Sequence, residues 1–222
     1  MRVILLLVFD KSWLFQQILK VPKYISNLLL ILASPISESD KRLSEIANLC
    51  SYFGSQCASK GLNIDFLDLY KEKEFLAGQN LDSNNSKVLE YQIRINKADM
   101  IAIFHPVWLD SVPAALKGWL ENTMTNNFAF RTENRFQIPL LKEKKCLVVS
   151  FDEKNKFQSQ VIFGNQLNNF WYKTVFDLTG MDGKLESFYS YRRASDKDLA
   201  LWKTKINSLS NQIRIKPTIL DL

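Results

Sequence analysis

The chain has 222 residues, of which 46% are hydrophobic and 23% are charged, and its formal net charge is +6. These values are ordinary for one soluble globular domain with a buried core. The charge excess is mild and forms no dense stripe of Lys and Arg, so we predict no nucleic-acid partner.

The first 25 residues are predicted to be an extension that precedes a single domain at 26–222. The apolar run of this extension, Val3 to Phe9, is too short to span a bilayer. The run also lacks a convincing small-residue cleavage site of the kind that ends a signal peptide. A peripheral contact with a membrane is the alternative to a bare extension.

From Asn27 onward, apolar runs alternate with segments of helical periodicity. The predicted strands are 27–33, 64–69, 100–104, 146–151 and 185–191. The predicted helices are 43–57, 87–97, 113–125, 157–178 and 195–213, with Gly180 just past the fourth and Ser195 as N-cap of the fifth. Such alternation predicts an α/β three-layer sandwich, in which helices cover both faces of a parallel sheet. Five strands predict the flavodoxin-like order 2-1-3-4-5, with a ligand crevice beside strands one and three.

The stretch 98–130 carries most of the functional information. The predicted third strand ends in it at Phe104, and His105 opens a polar and aromatic loop. A helix begins near Pro113, in the first turn, where proline is tolerated. Because ligands of open α/β sheets bind outside the carboxyl ends of the strands, this loop is predicted to line the crevice.

Missing motifs exclude several chemistries. No GxG, GxxxxGK or GxSxG occurs, so the chain lacks a Rossmann dinucleotide fingerprint, a P-loop and a nucleophile elbow. The three cysteines, Cys50, Cys57 and Cys146, show no paired spacing, and His105 is the single histidine, so no metal site is predicted. Unpaired cysteines also predict reduced thiols and a cytoplasmic location.

A specific set of residues lies within 98–130. It comprises Ala98-Asp99, Pro106, Trp108, Ser111, Pro113-Ala114, Leu116-Lys117-Gly118-Trp119 and Phe128-Ala129-Phe130. In these positions the chain resembles the NAD(P)H:quinone oxidoreductase family, which includes modulator of drug activity B and ancillary subunits of potassium efflux systems. The resemblance extends from about Asn27 to Leu209.

The resemblance implies a flavodoxin-like homodimer that holds FAD or FMN in the crevice. It also implies ping-pong hydride transfer from NAD(P)H to a quinone or a similar electrophile. The alternative is a non-catalytic or regulatory flavodoxin-like module, for example an ancillary subunit of a membrane transporter. This alternative rests on the cofactor loops, which differ from the family pattern.

The candidate catalytic residue is His105, because it follows the third strand at its carboxyl end. The resemblance places cofactor contacts at a larger set of positions after the first, third and fourth strands. They are Ser34, Ser39, Lys41, Pro106, Val107, Trp108, Leu109, Asp110, Ser150, Phe151 and Asp152.

Several of these positions depart from the family pattern. Ser34 stands where relatives have a histidine, Lys41 where they have an asparagine, and Leu109-Asp110 where they have aromatic residues. Asp152-Glu153 stand where relatives have glycines that approach the flavin edge. We expect these two carboxylates to be solvated loop charges, which would repel a reduced, anionic flavin.

Four features have two interpretations each. His105 is a hydrogen-bond or proton donor at the flavin edge, or a loop histidine bonded to the backbone. Trp108 stacks on a flat ring, or packs within its loop. Ser39 and Lys41 bind a phosphate near a helix N-terminus, or form an N-cap with a solvated lysine. The aromatic residues of 170–176 pack in the core, or at a dimer interface.

Overall fold

The computed structural model describes residues 24–36, 40–72 and 85–215. Most of the predicted N-terminal extension and the candidate residue Ser39 therefore lie outside the described residues. At the start of the described chain, Ile25 is buried and its backbone bridges to Ile215. The boundary between extension and domain stays a prediction.

In the described part of the chain, the strands form one five-stranded sheet and one hairpin. They are β1 (Asn27–Leu32), β2 (Asn63–Asp68), β3 (Met100–Val107), β4 (Phe130–Glu133), β5 (Phe136–Pro139), β6 (Lys145–Asp152) and β7 (Asp182–Tyr189). The sheet is parallel with the order β2-β1-β3-β6-β7, which confirms the predicted order 2-1-3-4-5. The antiparallel hairpin of β4 and β5 was not predicted, because its strands are short and largely exposed.

The helices follow the predicted alternation. They are α1 (Lys41–Ala58), α2 (Ser86–Lys97), α3 (Ala114–Thr123), α4 (the continuous run of Gln166–Asn169, Phe170–Phe176 and Asp177–Thr179) and α5 (Asp196–Asn211). The middle of α4 is π-helical, and a separate π-helical turn, Gln158–Ile162, precedes it. The predicted single helix 157–178 is broken at Gly164 and Asn165, whose φ values of 72° and 54° are left-handed. Gly180 ends α4 with a φ of 76°, as predicted.

Helices cover both faces of the sheet, which explains the uninterrupted apolar run of β1. Successive residues of a strand point to opposite faces. Leu29 accordingly packs in a core cluster with Trp119 of α3, whereas Leu30 packs in a second cluster with Phe53 of α1. The predicted three-layer architecture is confirmed.

The central strand β3 is longer than predicted. It extends to Val107 instead of ending at Phe104, and it pairs with β6 as far as Asp152. His105 therefore lies inside a buried strand, so its prediction as a loop residue is wrong. Its Nδ1 lies 2.8 Å from the carbonyl oxygen of Pro106. Burial lowers the pKa of His105 to about 4, so the imidazole is neutral at pH 7.

The last helix, α5, begins at the predicted N-cap. The Ser195 Oγ accepts a hydrogen bond from the Asp198 N–H, and the Asp198 carboxylate accepts one from the Ser195 N–H, which completes a capping box. None of the helices in the described ranges has the length and hydropathy needed to cross a membrane.

Replacing Ser195 with alanine should lower the free energy of unfolding by about 1 kcal/mol, because α5 loses its N-cap. Urea denaturation followed by circular dichroism measures this change. Ser208→Ala, at an exposed position inside the same helix, is the matched control and should change stability by less than about 0.5 kcal/mol. Equal effects of the two substitutions would contradict a capping role.

The neutral, buried state of His105 should make stability depend on pH. The pKa is about 4 in the folded chain and 6.5 for the unperturbed group, so the unfolded chain takes up the proton first. The stabilisation is therefore fully present above about pH 6.5 and is lost as the pH falls toward 4.

Between pH 7 and pH 5 the wild type should lose about 2 kcal/mol more stability than a His105→Leu variant. Urea denaturation at both pH values measures the difference. The comparison uses each protein's own pH dependence, so a constant destabilisation by the substitution does not affect it. Parallel pH profiles for the two proteins would show that His105 titrates normally.

Candidate functional site

The carboxyl ends of β1, β3 and β6 lie side by side and form the candidate crevice. Leu32 of β1 lies opposite Phe104 of β3, and Val107 of β3 lies opposite Asp152 of β6. The chain continues from β1 to β2 on one side and from β3 to β6 on the other, so the strand order reverses between β1 and β3. Doubly wound sheets bind their ligands at this position.

The loop after β3 is a tight, strained turn. The backbones of Trp108 and Ser111 exchange two hydrogen bonds of 3.0 Å. The two residues between them, Leu109 and Asp110, have left-handed φ values of 49° and 59°. Non-glycine residues in this conformation are uncommon and concentrate at functional sites. The turn places Leu109 outward, with 98% of its surface exposed.

An ion pair joins this turn to the loop after β6. The Lys154 Nζ lies 2.6 Å from the Asp110 Oδ1, and both side chains are mostly shielded from solvent. The Lys154 Nζ also lies 4.6 Å from the centre of the Phe163 ring. The pair therefore links the turn after β3 to the loop after β6. Sequence analysis missed Lys154, although opposite charges in loops at neighbouring strand ends are a usable signal.

Trp108 packs within the protein. It is partly buried against the core cluster on the α1 face, which includes Tyr191. Burial raises the pKa of Tyr191. These contacts match the interpretation of Trp108 as loop packing.

A chain of charged groups joins the loops after β6 and β7 to the start of α1. Arg192, in the short 3₁₀ turn after β7, donates from Nη1 to the Asp40 Oδ2 at 3.0 Å and from Nε to the Glu153 Oε1 at 2.5 Å. Asp40, not Ser39, is the N-cap of α1. Lys41 is the first helical residue and is exposed.

The charge state of Asp40 follows from these contacts. Burial alone raises its pKa, but the hydrogen bonds from Arg192 and from the N–H groups of Leu43 and Arg42 outweigh burial. The pKa of Asp40 is therefore lower than usual, and its carboxylate is ionised at pH 7.

Two predicted site residues carry a buried polar atom with no partner among the residues that the structure describes. They are the Ser34 Oγ and the His105 Nε2. The Ala33 N–H donates to the Phe104 carbonyl at 2.8 Å, so Ser34 lies beside the end of β3. Buried polar groups almost always have a partner, so such atoms at one end of the sheet are unusual.

The structure does not bring every predicted side chain to the crevice. The Ser150 Oγ bonds to the Ser187 Oγ at 2.8 Å, and the Phe151 ring stacks on Phe188 in the core. The side chains of Pro106 and Val107 are buried as well. Cofactor contacts by these four residues are thus limited to their backbone atoms, since a side chain packed in the core does not reach a ligand.

The prediction that Asp152 and Glu153 are solvated loop charges is wrong for Asp152 and confirmed for Glu153, which is exposed in the loop after β6. Asp152 is buried at the end of β6, where its Oδ1 accepts a hydrogen bond from the Lys154 N–H at 2.9 Å. Glu153 is paired with Arg192. Both carboxylates have structural partners that the sequence did not show.

The aromatic residues of α4 divide by position. Trp171 and Phe176 are buried in the core, which confirms one of the two interpretations for them. Tyr172 is 37% exposed, and its hydroxyl accepts a hydrogen bond from the Leu185 N–H. The dimer interpretation stays a prediction for this residue.

The cysteines and acidic groups form no metal site in the described ranges. No group of three or more His, Cys, Asp or Glu side chains there could hold a metal ion. The three cysteines are free and buried. Burial raises the pKa of Cys146 to about 12 and that of Cys57 to about 11, so these thiols are unreactive.

Curated proteins of similar sequence have oxidoreductase names. The chain is 34% identical over 92 residues to an uncharacterized NAD(P)H oxidoreductase of Haemophilus influenzae, covering 38% of this chain and 46% of the relative. It is 32% identical over 94 residues to an FMN-dependent NADH:quinone oxidoreductase of Clostridium beijerinckii, covering 38% and 48%. The alignments span about half the length of these relatives.

Solved structures share the architecture. An FMN-dependent NADH-azoreductase of Bacillus anthracis, in complex with FMN, is similar with a TM-score of 0.66 at 17% identity, covering 85% of this chain and 99% of the other. At this identity the likeness shows the fold alone. A family model described as the flavodoxin-like fold matches residues 26–210, and the chain therefore belongs to the flavodoxin-like fold family.

Proposed function

We propose that the chain is a flavin-dependent oxidoreductase that passes a hydride from NAD(P)H to a quinone or a similar electrophile. The observation that carries this proposal is the 32% identity to an FMN-dependent NADH:quinone oxidoreductase, in a chain whose strand order creates a ligand crevice. The non-catalytic module is not favoured, because the curated relatives have oxidoreductase names.

FMN and NADH are the proposed cofactor and electron donor, within the wider expectation of FAD or FMN and NAD(P)H. The name of the Clostridium beijerinckii relative supports this choice. The unpartnered Ser34 Oγ supports a polar ligand at this end of the sheet, because buried hydroxyl groups almost always have a partner. A bound flavin would supply the hydride chemistry, and the chain would supply its position.

The chain would hold the flavin ring mainly through backbone groups. The peptide groups of 106–110 and of 150–152 lie at the carboxyl ends of β3 and β6, next to one another. Leu109 would make an apolar contact with the flavin ring or with the acceptor, because its side chain is exposed on the turn after β3. Ser34, Ser39 and Lys41 are proposed at the phosphate end, after β1.

We propose that His105 positions the backbone near the end of β3 and does not donate a proton. With the Nδ1–H bonded to the Pro106 carbonyl, the Nε2 of the neutral ring is an acceptor. A buried neutral imidazole has no proton to give to an acceptor outside the core. Its role would be to fix the carbonyl group of Pro106.

We propose further that the chain acts in the cytoplasm as a homodimer with a second copy of itself. Phe157, Val161, Ile162 and Phe163 form an apolar surface near the crevice, with 42–64% of each residue exposed. Exposed apolar surfaces of this kind often mark protein contacts. The unpaired, buried cysteines suit a reducing compartment.

The proposed function predicts that purified protein mixed with FMN stays yellow through gel filtration. The bound sample should oxidise NADH when menadione is added as acceptor. Chromatography of the flavin released by heat separates FMN from FAD. Protein that remains colourless with added flavin, and that does not oxidise NADH, would contradict the proposal.

The ion pair between Asp110 and Lys154 should support flavin binding, because it links the turn after β3 to the loop after β6. Asp110→Ala and Lys154→Met should each weaken FMN binding about five- to tenfold, because each removes this link. The double variant should be no weaker than either single variant, since both remove one interaction.

Quenching of flavin fluorescence on binding measures these affinities. Lys156→Met, which removes an exposed lysine two residues away, is the matched control and should leave the affinity unchanged. If the losses of FMN affinity in the Asp110 and Lys154 variants add in the double variant, the two side chains act independently and the ion pair does not support binding.

A further inference from the structure

We propose that a cavity at the amino ends of β3, β6 and β7 binds a medium-chain aliphatic carboxylate. The carboxylate group lies between Lys184 and Arg214, and the aliphatic chain lies on the apolar floor of the cavity. This site is separate from the proposed flavin crevice, which is at the carboxyl ends of the same strands. At about 3.3 Å per residue, the two ends of β3 are roughly 23 Å apart.

The cavity has a volume of about 230 Å³ and lies between the sheet and the end of α5. Its floor consists of buried aliphatic side chains, with the partly buried Ile213 beside them. The floor residues are Ile25, Met100, Leu147 and Leu209. Among the described residues that line the cavity there is no aromatic side chain, so the surface suits a hydrocarbon chain better than a flat ring. The volume equals that of about eight water molecules, which suits a short chain.

Two cations lie at the rim of this cavity. The Lys184 Nζ donates a hydrogen bond to the Gln212 Oε1 at 3.2 Å, so the lysine side chain reaches from β7 to the end of α5. Arg214 follows α5, and its carbonyl oxygen accepts a hydrogen bond from the Ile25 N–H at 2.8 Å. The backbone of Arg214 is therefore tied to the floor of the cavity, while its side chain remains exposed.

The acidic groups at this edge of the sheet already have partners. The Asp182 Oδ2 lies 3.9 Å from the Lys145 Nζ, and the Asp99 carboxylate accepts hydrogen bonds from two backbone N–H groups. In the part of the chain that the structure describes, Lys184 and Arg214 have no carboxylate partner. Two such cations beside an apolar cavity favour a ligand that combines a negative charge with a hydrocarbon chain.

An aliphatic carboxylate matches both parts of the cavity. Its methylene groups gain free energy when they leave water for the apolar floor. Its charged group stays at the rim, where it keeps contact with water and accepts charge-assisted hydrogen bonds from lysine and arginine. The charge of the preceding segment, 1–23, does not match this rim. That segment contains four basic residues and one acidic residue, which are Arg2, Lys11, Lys20, Lys23 and Asp10.

Methionine methyl groups labelled with carbon-13 show where the ligand binds. Octanoate should shift the Met100 signal in a saturable manner, because Met100 lines the cavity. Met124 and Met181 belong to the core cluster on the other face of the sheet, so their signals should not move. Hexanoate should bind at least about tenfold more weakly, since each buried methylene group strengthens binding about fourfold. Acetate at the same ionic strength should cause no shift.

Variants of the two cations test the recognition of the carboxylate. Lys184→Met and Arg214→Met should each weaken octanoate binding about five- to tenfold, because one charge-assisted contact is lost. Both variants should bind 1-octanol, which has no charge, as the wild type does. Lys197→Met removes an exposed lysine at the other end of α5 and is the matched control. It should leave the binding of octanoate unchanged.

The inference is overturned if octanoate leaves the Met100 signal unmoved, or if the Lys184 and Arg214 variants bind octanoate as tightly as Lys197→Met. Equal losses of octanoate and octanol binding would also overturn it, because the cations would then act on the shape of the cavity and not on the carboxylate. The titration is repeated with FMN present and should give the same affinity. Protein that binds octanoate at Met100 but binds no flavin would refute the proposed function and still support this inference.

Discussion

The parallel pairing of β1, β3 and β6 is the constraint on which the rest of the structure depends. β1 and β3 are buried on both faces, so their register is fixed by two cores at once. Because the three strands run in the same direction, the loops that follow them must emerge at one edge of the sheet. The crevice is therefore a consequence of how apolar side chains are buried.

Much of the fold followed from local patterns. The uninterrupted apolar run that begins at Leu28 indicated a strand buried on both faces, and Ser195 indicated the start of the last helix. The length of β3 could not be predicted in the same way. A proline such as Pro106 is uncommon inside a central strand, but here β3 continues through it to Val107, with His105 buried and neutral. Tertiary burial overrode the local preference.

The site was harder to predict than the fold because its defining contacts join distant parts of the chain. The partners Lys154 and Asp110 are 44 residues apart, and Arg192 and Asp40 are 152 residues apart. Sequence patterns show periodicity over a few helical turns or one strand. They do not show which charged side chains from distant segments will form ion pairs. The left-handed turn at Leu109 was equally hidden, since neither residue of the turn is a glycine.

These ionic contacts explain how a crevice built from loops can hold a fixed shape. Lys154 ties the loop after β6 to the turn after β3, and Arg192 ties the loop after β6 to the start of α1. Each tie joins segments that follow different strands of the sheet. Partly exposed ion pairs add little to global stability, so the effect of these pairs lies in keeping neighbouring loops at fixed separations. When a ligand binds in such a crevice, less free energy is lost in ordering the loops. A larger part of the favourable contact energy therefore contributes to the affinity.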